Sequence, residues 1–338
     1  MPDTAVSFAD TTVPSGISSV VDDTLRSLRI SGSLLLRETY APPWSIAIPA
    51  SGQLTSLLGI AASVHVVAFH LVEFGHCTIT GADGVEVLLT AGEMAICFGG
   101  TAHRISEGKT AKSQPVEELL AGCPNLRRPD LVDSPAGTSL LCGVFMLHHT
   151  PFNPLVAALP PLLRASLSRP GELHNLSGVA RLMTDEMNRN ALGGGYVVDR
   201  LLEVLCAEAV RAHIEAAPHR EASWFRGIKD PVIGRAIAAI HAAPGADWTV
   251  QRLSSDVAMS PSRFAARFSE ALGDSPMSYA TKWRMNVACR ELAGTQQGVE
   301  QIAARVGYES LAAFSRTFKK HVGISPAAWR TRERQTTT

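Results

Sequence analysis

GYESLAAFSRTFKKHVGISP, Gly307–Pro326, is the stretch from which the rest of the chain is read. Gly307 suits a turn that needs a positive φ, and Ser310 stands where an N-cap accepts from the free amides of a new helix. Phe314 and Phe318, four residues apart, anchor one face of that helix, and Gly323 with Pro326 stops it. A second copy of the pattern lies upstream in AMSPSRFAARFSEALGDSP, Ala258–Pro276, with Ser260 in the N-cap place. The two units superpose residue by residue. Leu253 matches Ile302, Val257 matches Val306, Phe264 matches Phe314, Phe268 matches Phe318 and Gly273 matches Gly323, with one turn a residue longer. Each unit therefore reads as helix, turn, helix, and the anchoring phenylalanines leave the far face of the second helix outward.

An outward helix held in this way has the dimensions to enter a DNA major groove. On the second unit the outward positions are Leu311, Ala312, Ser315, Arg316 and Lys319. Arg is the side chain best shaped for guanine O6 and N7, while Lys319 and Lys320 suit phosphates. Charge is split along the chain in the same sense. Residues 225–338 hold 16 Lys and Arg against 9 Asp and Glu, and residues 1–224 hold 15 against 22, although the whole is neutral. A basic half beside an acidic half points to a polyanionic partner for one of them.

The spans RLSSDVAMSPSRFAARFSEALGDSPMSYATKWRM and IAARVGYESLAAFSRTFKKHVGISPAAWR resemble the DNA-binding domain of AraC/XylS-family transcription regulators. The resemblance implies an all-α domain over 225–338, with helix-turn-helix units at about 249–271 and 298–321 joined by a long helix at about 276–292. It implies base-facing positions at Ser262, Ala265 and Ala266 in the first unit, and at Leu311, Ala312, Ser315 and Arg316 in the second. Ala266 departs from the many relatives that carry a basic residue there, so the first helix is expected to add shape and phosphate contact through Arg263 and Arg267. The implied partners are double-stranded promoter DNA, a small-molecule effector, RNA polymerase and a second copy of the chain.

The amino-terminal half has a different texture. SGSLLLRETY, WSIAIPA, VHVVAFHLVEFGHCTI, EVLLTAGEMAICFGG, AHRIS and TSLLCGVFMLHH are short apolar or alternating runs, separated about every ten residues by Gly, Pro or Asp. That spacing predicts an all-β barrel or sandwich. SEGKTAKSQPVEELLAGCPNLRRPD reads as a long polar loop interrupting it. In GEMAICFGGTAHRIS, the residues Gly92, Gly100 and His103 resemble the second cupin motif, with Phe98 where Pro is usual. This implies a cupin-like effector-sensing domain over 19–165, after an unstructured 1–18. Cupins often hold a metal through histidines, which makes a divalent transition metal a candidate cofactor. The candidates are His65, His70, His76, His103, His148 and His149, but the usual His-x-His is missing. His65 and His70 are an odd number apart, hence on opposite faces of a regular strand. A metal site, a hydrogen-bonded His70–His103 pair shaping a small-molecule pocket, and plain structural histidines all remain open, with Cys142 as a neighbouring thiol.

Residues 166–224 read as a helical linker. The spacing of Val197, Leu201 and Leu205 predicts an apolar stripe for dimerisation, and APHREASWFRGIKDP reads as the hinge to the last domain. The fold class is therefore α+β and multidomain. Six cysteines without a CxxC pair argue against a disulfide framework or zinc finger. No apolar run is long enough to span a bilayer, and the N-terminus lacks a signal pattern, so a cytoplasmic regulator without enzymatic activity is expected. The competing reading is a metal-dependent cupin enzyme fused to a DNA-targeting domain.

Overall fold

The computed structural model describes residues 15–61, 64–108, 112–122, 137–148, 152–167, 174–189, 191–216 and 223–335. The sequence candidate His149 lies outside them.

Among the described residues of the first half there are ten strands: β1 (Ile30–Tyr40), β2 (Trp44–Ile48), β3 (His65–Phe74), β4 (His76–Gly81), β5 (Glu86–Thr90), β6 (Glu93–Ile96), β7 (His103–Glu107), β8 (Gln114–Pro115), β9 (Thr138–Leu147) and β10 (Leu163–Ser166). They form two five-stranded sheets, ordered β1-β9-β3-β6-β10 and β5-β4-β7-β2-β8. The period of two explains how they stack. Along β3, Val66, Ala68, His70 and Val72 face the space between the sheets with Ile46, Cys77, Ile79, Leu89 and Ile105. Val67, Phe69 and Leu71 face a helical layer on the other side. Both faces of β3 are covered, which is why it reads as a nearly continuous apolar run.

The helical layer is α1 (Ser15–Leu28), α4 (Pro154–Ala158), α5 (His174–Arg189) and α6 (Gly194–Ala216), while α2 (Ser51–Leu57) and α3 (Val116–Leu120) close the edges of the sandwich. Val198, Leu202, Leu205, Cys206 and Ala209 of α6 are buried in the same cluster as Phe69 and Phe145. The approach is close at Gly32, where a Cβ would stand 2.5 Å from Leu202 Cβ. Three expectations change here. Residues 15–18 belong to α1, so that part of the amino-terminal segment is helical. The polar loop after β7 contains α3, whose Val116 and Leu119 are buried in the sandwich. Leu205 is fully buried against the sheet and Leu201 packs half-buried beside it, so the expected dimer stripe is largely the inner face of α6. Among the described residues of these two helices, Leu182 on α5 and Tyr196, Val197 and Val204 on α6 are large apolar side chains left exposed, with Leu192 between the helices.

The last third is α7 (Trp224–Lys229), α8 (Ile233–Ala242), α9 (Val250–Asp256), α10 (Pro261–Leu272), α11 (Pro276–Gly294), α12 (Val299–Arg305), α13 (Leu311–Val322) and α14 (Pro326–Gln335). The expected hinge is partly core: Trp224, Phe225 and Ile228 are buried, and the Trp224 indole donates to the Tyr279 hydroxyl at 3.0 Å. Residues 217–222 of that hinge lie outside the described residues. α1 packs against α8 and α11 as well as α4. Asn153, which caps α4, donates to Thr24 O and Ser27 Oγ of α1 at 2.9 and 2.7 Å. One apolar cluster thus runs from the outer face of the first sheet through α1, α4 and α6 into the last domain.

Candidate nucleic-acid interface and sandwich interior

The two helix-turn-helix units are α9–α10 and α12–α13. In each, a helix-length element is seated by one pair of rings, Phe264–Phe268 with centroids 5.7 Å apart and Phe314–Phe318 at 5.6 Å, all four fully buried. Gly307 takes φ +84° in the second turn, and a Cβ there would meet Gly245 O at 2.7 Å. Ala258, its counterpart, takes φ +54°. The left-handed turn therefore belongs to the motif, and the first unit adopts it without glycine at a cost of about 1–2 kcal/mol. Ser310 caps α13 by accepting from Ala313 N at 3.4 Å. Ser260 occupies the N-cap place of α10, followed by Pro261 at N1, and makes no side-chain capping hydrogen bond.

On α13, Leu311, Ala312, Arg316, Lys319 and Lys320 are exposed and Ser315 is half-buried. No hydrogen bond or ion pair engages Arg316, Lys319 or Lys320 among the described residues. On α10, Ser262, Arg263 and Ala266 are exposed and Ala265 is half-buried. Arg267 differs from expectation. It is bound through Nε and Nη2 to Asp230 Oδ2 at 3.1 and 2.8 Å, and so pins α10 to the start of α8. Burial raises the Asp230 carboxyl, but the Ile233 and Val232 amides and Arg267 outweigh it and hold the group below its usual range. On α10, Arg263 is exposed and makes no ion pair among the described residues.

The two units are set by α11, whose Arg284 donates to Pro244 O at 2.8 Å and Ala246 O at 2.7 Å. Beneath it, His241 stacks on Trp283 with centroids 3.6 Å apart and accepts from the Tyr279 hydroxyl at 2.8 Å. Burial pushes the His241 imidazole from 6.5 down to about 3. The unfolded chain therefore takes up a proton below pH 6.5 that the folded chain refuses, so stability falls as pH drops, by about 2 kcal/mol at pH 5. Urea midpoints of the wild type and His241→Phe, followed from pH 7.5 to 5, should diverge in slope by that amount.

Inside the sandwich, His70 Nε2 and His103 Nε2 lie 2.8 Å apart. Cys142 Sγ stands 3.2 Å from His70 Nδ1, and Cys97 Sγ stands 3.7 Å from His103 Nε2. His70 is inward on the even parity of β3, while His65 sits on the opposite parity with Nε2 3.3 Å from Phe98 O. His76 is exposed, and His65, His76 and His148 stand apart from the His70–Cys97–His103 group. Burial, with the His103 imidazole beside it, holds His70 well below its ordinary value; burial alone lowers His103. Burial pushes the Cys97 thiol up to about 12 and raises Cys142 further. Cys97 was not among the sequence candidates. The signal was its six-residue spacing to His103 across Gly99-Gly100, a turn in which Gly100 takes φ +61° and brings the two side chains back together.

These features define a class, a DNA-binding regulator built from a cupin-type sandwich and paired helix-turn-helix units. A cupin family model matches residues 19–215 and a helix-turn-helix domain model matches residues 253–332. The chain belongs to the AraC-like family of transcription regulators, in the branch with a cupin amino-terminal domain. It is 30% identical over 273 residues to the HTH-type transcriptional regulator AlkR of Acinetobacter baylyi, covering 77% of this chain and 86% of that one. It is 28% identical over 279 residues to the RCS-specific HTH-type transcriptional activator RclR of Escherichia coli, covering 81% and 88%. Among solved structures, ToxT from Vibrio cholerae aligns over 88% of this chain and 97% of its own at 10% identity and a TM-score of 0.34. The DNA-binding domain of AdpA, solved with a target DNA, aligns over 32% and 96% at 29% identity and a TM-score of 0.30. No described helix is long and apolar enough to cross a membrane.

Proposed function

We propose that the chain acts in the cytoplasm as a homodimeric, non-enzymatic regulator that reads promoter DNA through α10 and α13 and answers to an effector held by the sandwich. The observation that carries the DNA reading is the exposed, unpaired row Arg316, Lys319 and Lys320 on a helix whose opposite face is locked by Phe314 and Phe318. Arg316 reads a base, Lys319 and Lys320 hold phosphates, and Arg263 does the same for the first unit. A footprint of the purified chain on its own promoter region tests this. Protection of two successive major-groove segments on one face of the duplex is expected, with affinity falling steeply as salt rises. Affinity insensitive to salt would remove the phosphate contacts from the account. Contact with RNA polymerase at that promoter belongs to the same proposal.

The route from sandwich to DNA is α1, which leads directly into β1 and packs on α8 and α11. A shift of β1 would be passed to the helices that hold both units.

For the dimer, the partner's place is the outer face of α5 and α6, where Val197 and Val204 are 41% and 46% exposed and Leu182 is 57% exposed. Val204→Asp with Leu182→Asp should convert dimers to monomers in sedimentation while leaving the sandwich folded, since neither side chain enters the core. A wild-type chain that sediments as a monomer at high concentration ends this part of the proposal.

A further inference from the structure

We propose that the sandwich interior is a binding site for one thiophilic transition-metal ion of the zinc or copper(I) class, held by His70 Nε2, His103 Nε2 and the Cys97 thiolate. These three atoms lie within 4.8 Å of one another, contributed by the middle of β3, the residue after β6 and the start of β7.

The hydrogen-bond directions already prepare the site. Thr101 O, 3.2 Å from His103 Nδ1, can only accept, so Nδ1 of His103 carries the proton and its Nε2 presents a lone pair. Facing it at 2.8 Å, His70 Nε2 must then donate, which leaves His70 Nδ1 to accept from the Cys142 thiol. A metal-binding histidine is typically oriented by a carbonyl or similar acceptor on its other nitrogen; His103 has that acceptor in Thr101 O. An ion entering between the two Nε2 atoms takes the place of a single proton. The His70 proton transfers to Nδ1, which then donates to Cys142 Sγ, and the Cys97 proton leaves to solvent. One proton is released per ion bound and no electron moves.

The fit is close. Nitrogens sharing a tetrahedral zinc stand roughly 3.3 Å apart, and a nitrogen and a sulfur roughly 3.6 Å apart. The nitrogens here need to part by about half an ångström, and the Cys97–His103 separation of 3.7 Å is already suitable. Two imidazoles and a thiolate favour zinc or copper over magnesium and calcium, which take oxygen ligands. The neighbouring cavity, lined by His70 and Cys142 among apolar side chains, measures about 20 Å³. It is lined by neither Cys97 nor His103, so the ion's place is the space between the three donor atoms themselves. His103, at the start of β7, is the partly exposed member of the three.

The test uses the full chain stripped with chelator and titrated with Co²⁺ as a spectroscopic stand-in, then competed with Zn²⁺. One equivalent should bind, with a near-ultraviolet thiolate-to-cobalt band and tetrahedral visible bands, both discharged by zinc. Cys97→Ser should abolish the thiolate band, and His103→Gln should prevent stoichiometric binding. Cys142→Ala should keep the band but weaken affinity roughly 10- to 100-fold, as loss of a ligand's supporting partner does. Cys206→Ala, on α6, should change nothing. Wild-type protein that takes up no cobalt or zinc on dialysis overturns the proposal without need of any variant. So does a thiolate band that persists in Cys97→Ser. None of these readouts involves DNA, so the site and the regulator stand or fall separately.

Discussion

Replacing Phe318 by Ala should cost about 3–5 kcal/mol of stability and erase half of the DNA footprint. The ring is fully buried between Phe314, at 5.6 Å, and Trp329, at 6.3 Å. Trp329 is in turn fixed by its indole donating to Cys289 O at 3.1 Å. Removing the ring leaves a cavity under α13 that Phe314 and Trp329, the latter tied to α11 by its hydrogen bond, cannot collapse to fill. The helix loses its seat, and Arg316 and Lys319 lose the direction in which they are held. The urea midpoint should fall accordingly. Protection of the second major-groove segment should vanish while that of the first, seated by Phe264 and Phe268, survives. Phe318→Leu, which refills most of the volume, should lose much less stability. A Phe318→Ala chain with an unchanged midpoint and a full footprint would show that α13 is not held by this ring.

Arg316→Ala should weaken the specific site by about 1–3 kcal/mol, roughly 5- to 150-fold, and relax preference at one base position. Because Arg316 is exposed and touches no acidic partner, stability should not change. Lys320→Ala is the contrast: it should weaken all sequences alike and lower the salt slope by roughly one. If Arg316→Ala weakens specific and random DNA equally, its role is positional. Specificity then falls to Ser315, Ala312 and Leu311, or to DNA shape. In the first unit Ala266 is exposed, so Ala266→Arg has room and should strengthen binding. Loss of binding there would mean that the helix face assigned to DNA is turned by one residue.

The helix-turn-helix units were legible because their signal is local. A cap, a turn and two phenylalanines four apart specify a seated helix within twenty residues, and the duplicate repeats the statement. The long helix expected at about 276–292 is α11, Pro276–Gly294. The role of Arg267 was not legible: its partner Asp230 is 37 residues away, and a cation on an outward helix face looks the same before and after it is paired. The same blindness applied to α6. Periodicity marks an apolar stripe but not which neighbour covers it, and Leu205 proved to face the sheet rather than a partner. In the sandwich, strand parity separated His65 from His70, but the meeting of His70 with Cys97, His103 and Cys142 joins β3, the turn from β6 to β7, and β9, which lie far apart in sequence.

By itself, then, the sequence determined what depends on neighbours along the chain: the alternation of the strands, the two units with their buried rings, and the basic outward face of α13. The tertiary structure alone decided what depends on neighbours in space. It bound Arg267 to Asp230, turned α6 inward, laid α1 across from β1 to α8 and α11, and closed two imidazoles and a thiol around one point. The reason is that a side chain's rotamer, period and capping energy are set within a few residues. Its charge partner, its burial and its coordination depend on which distant surfaces hydrophobic burial brings together.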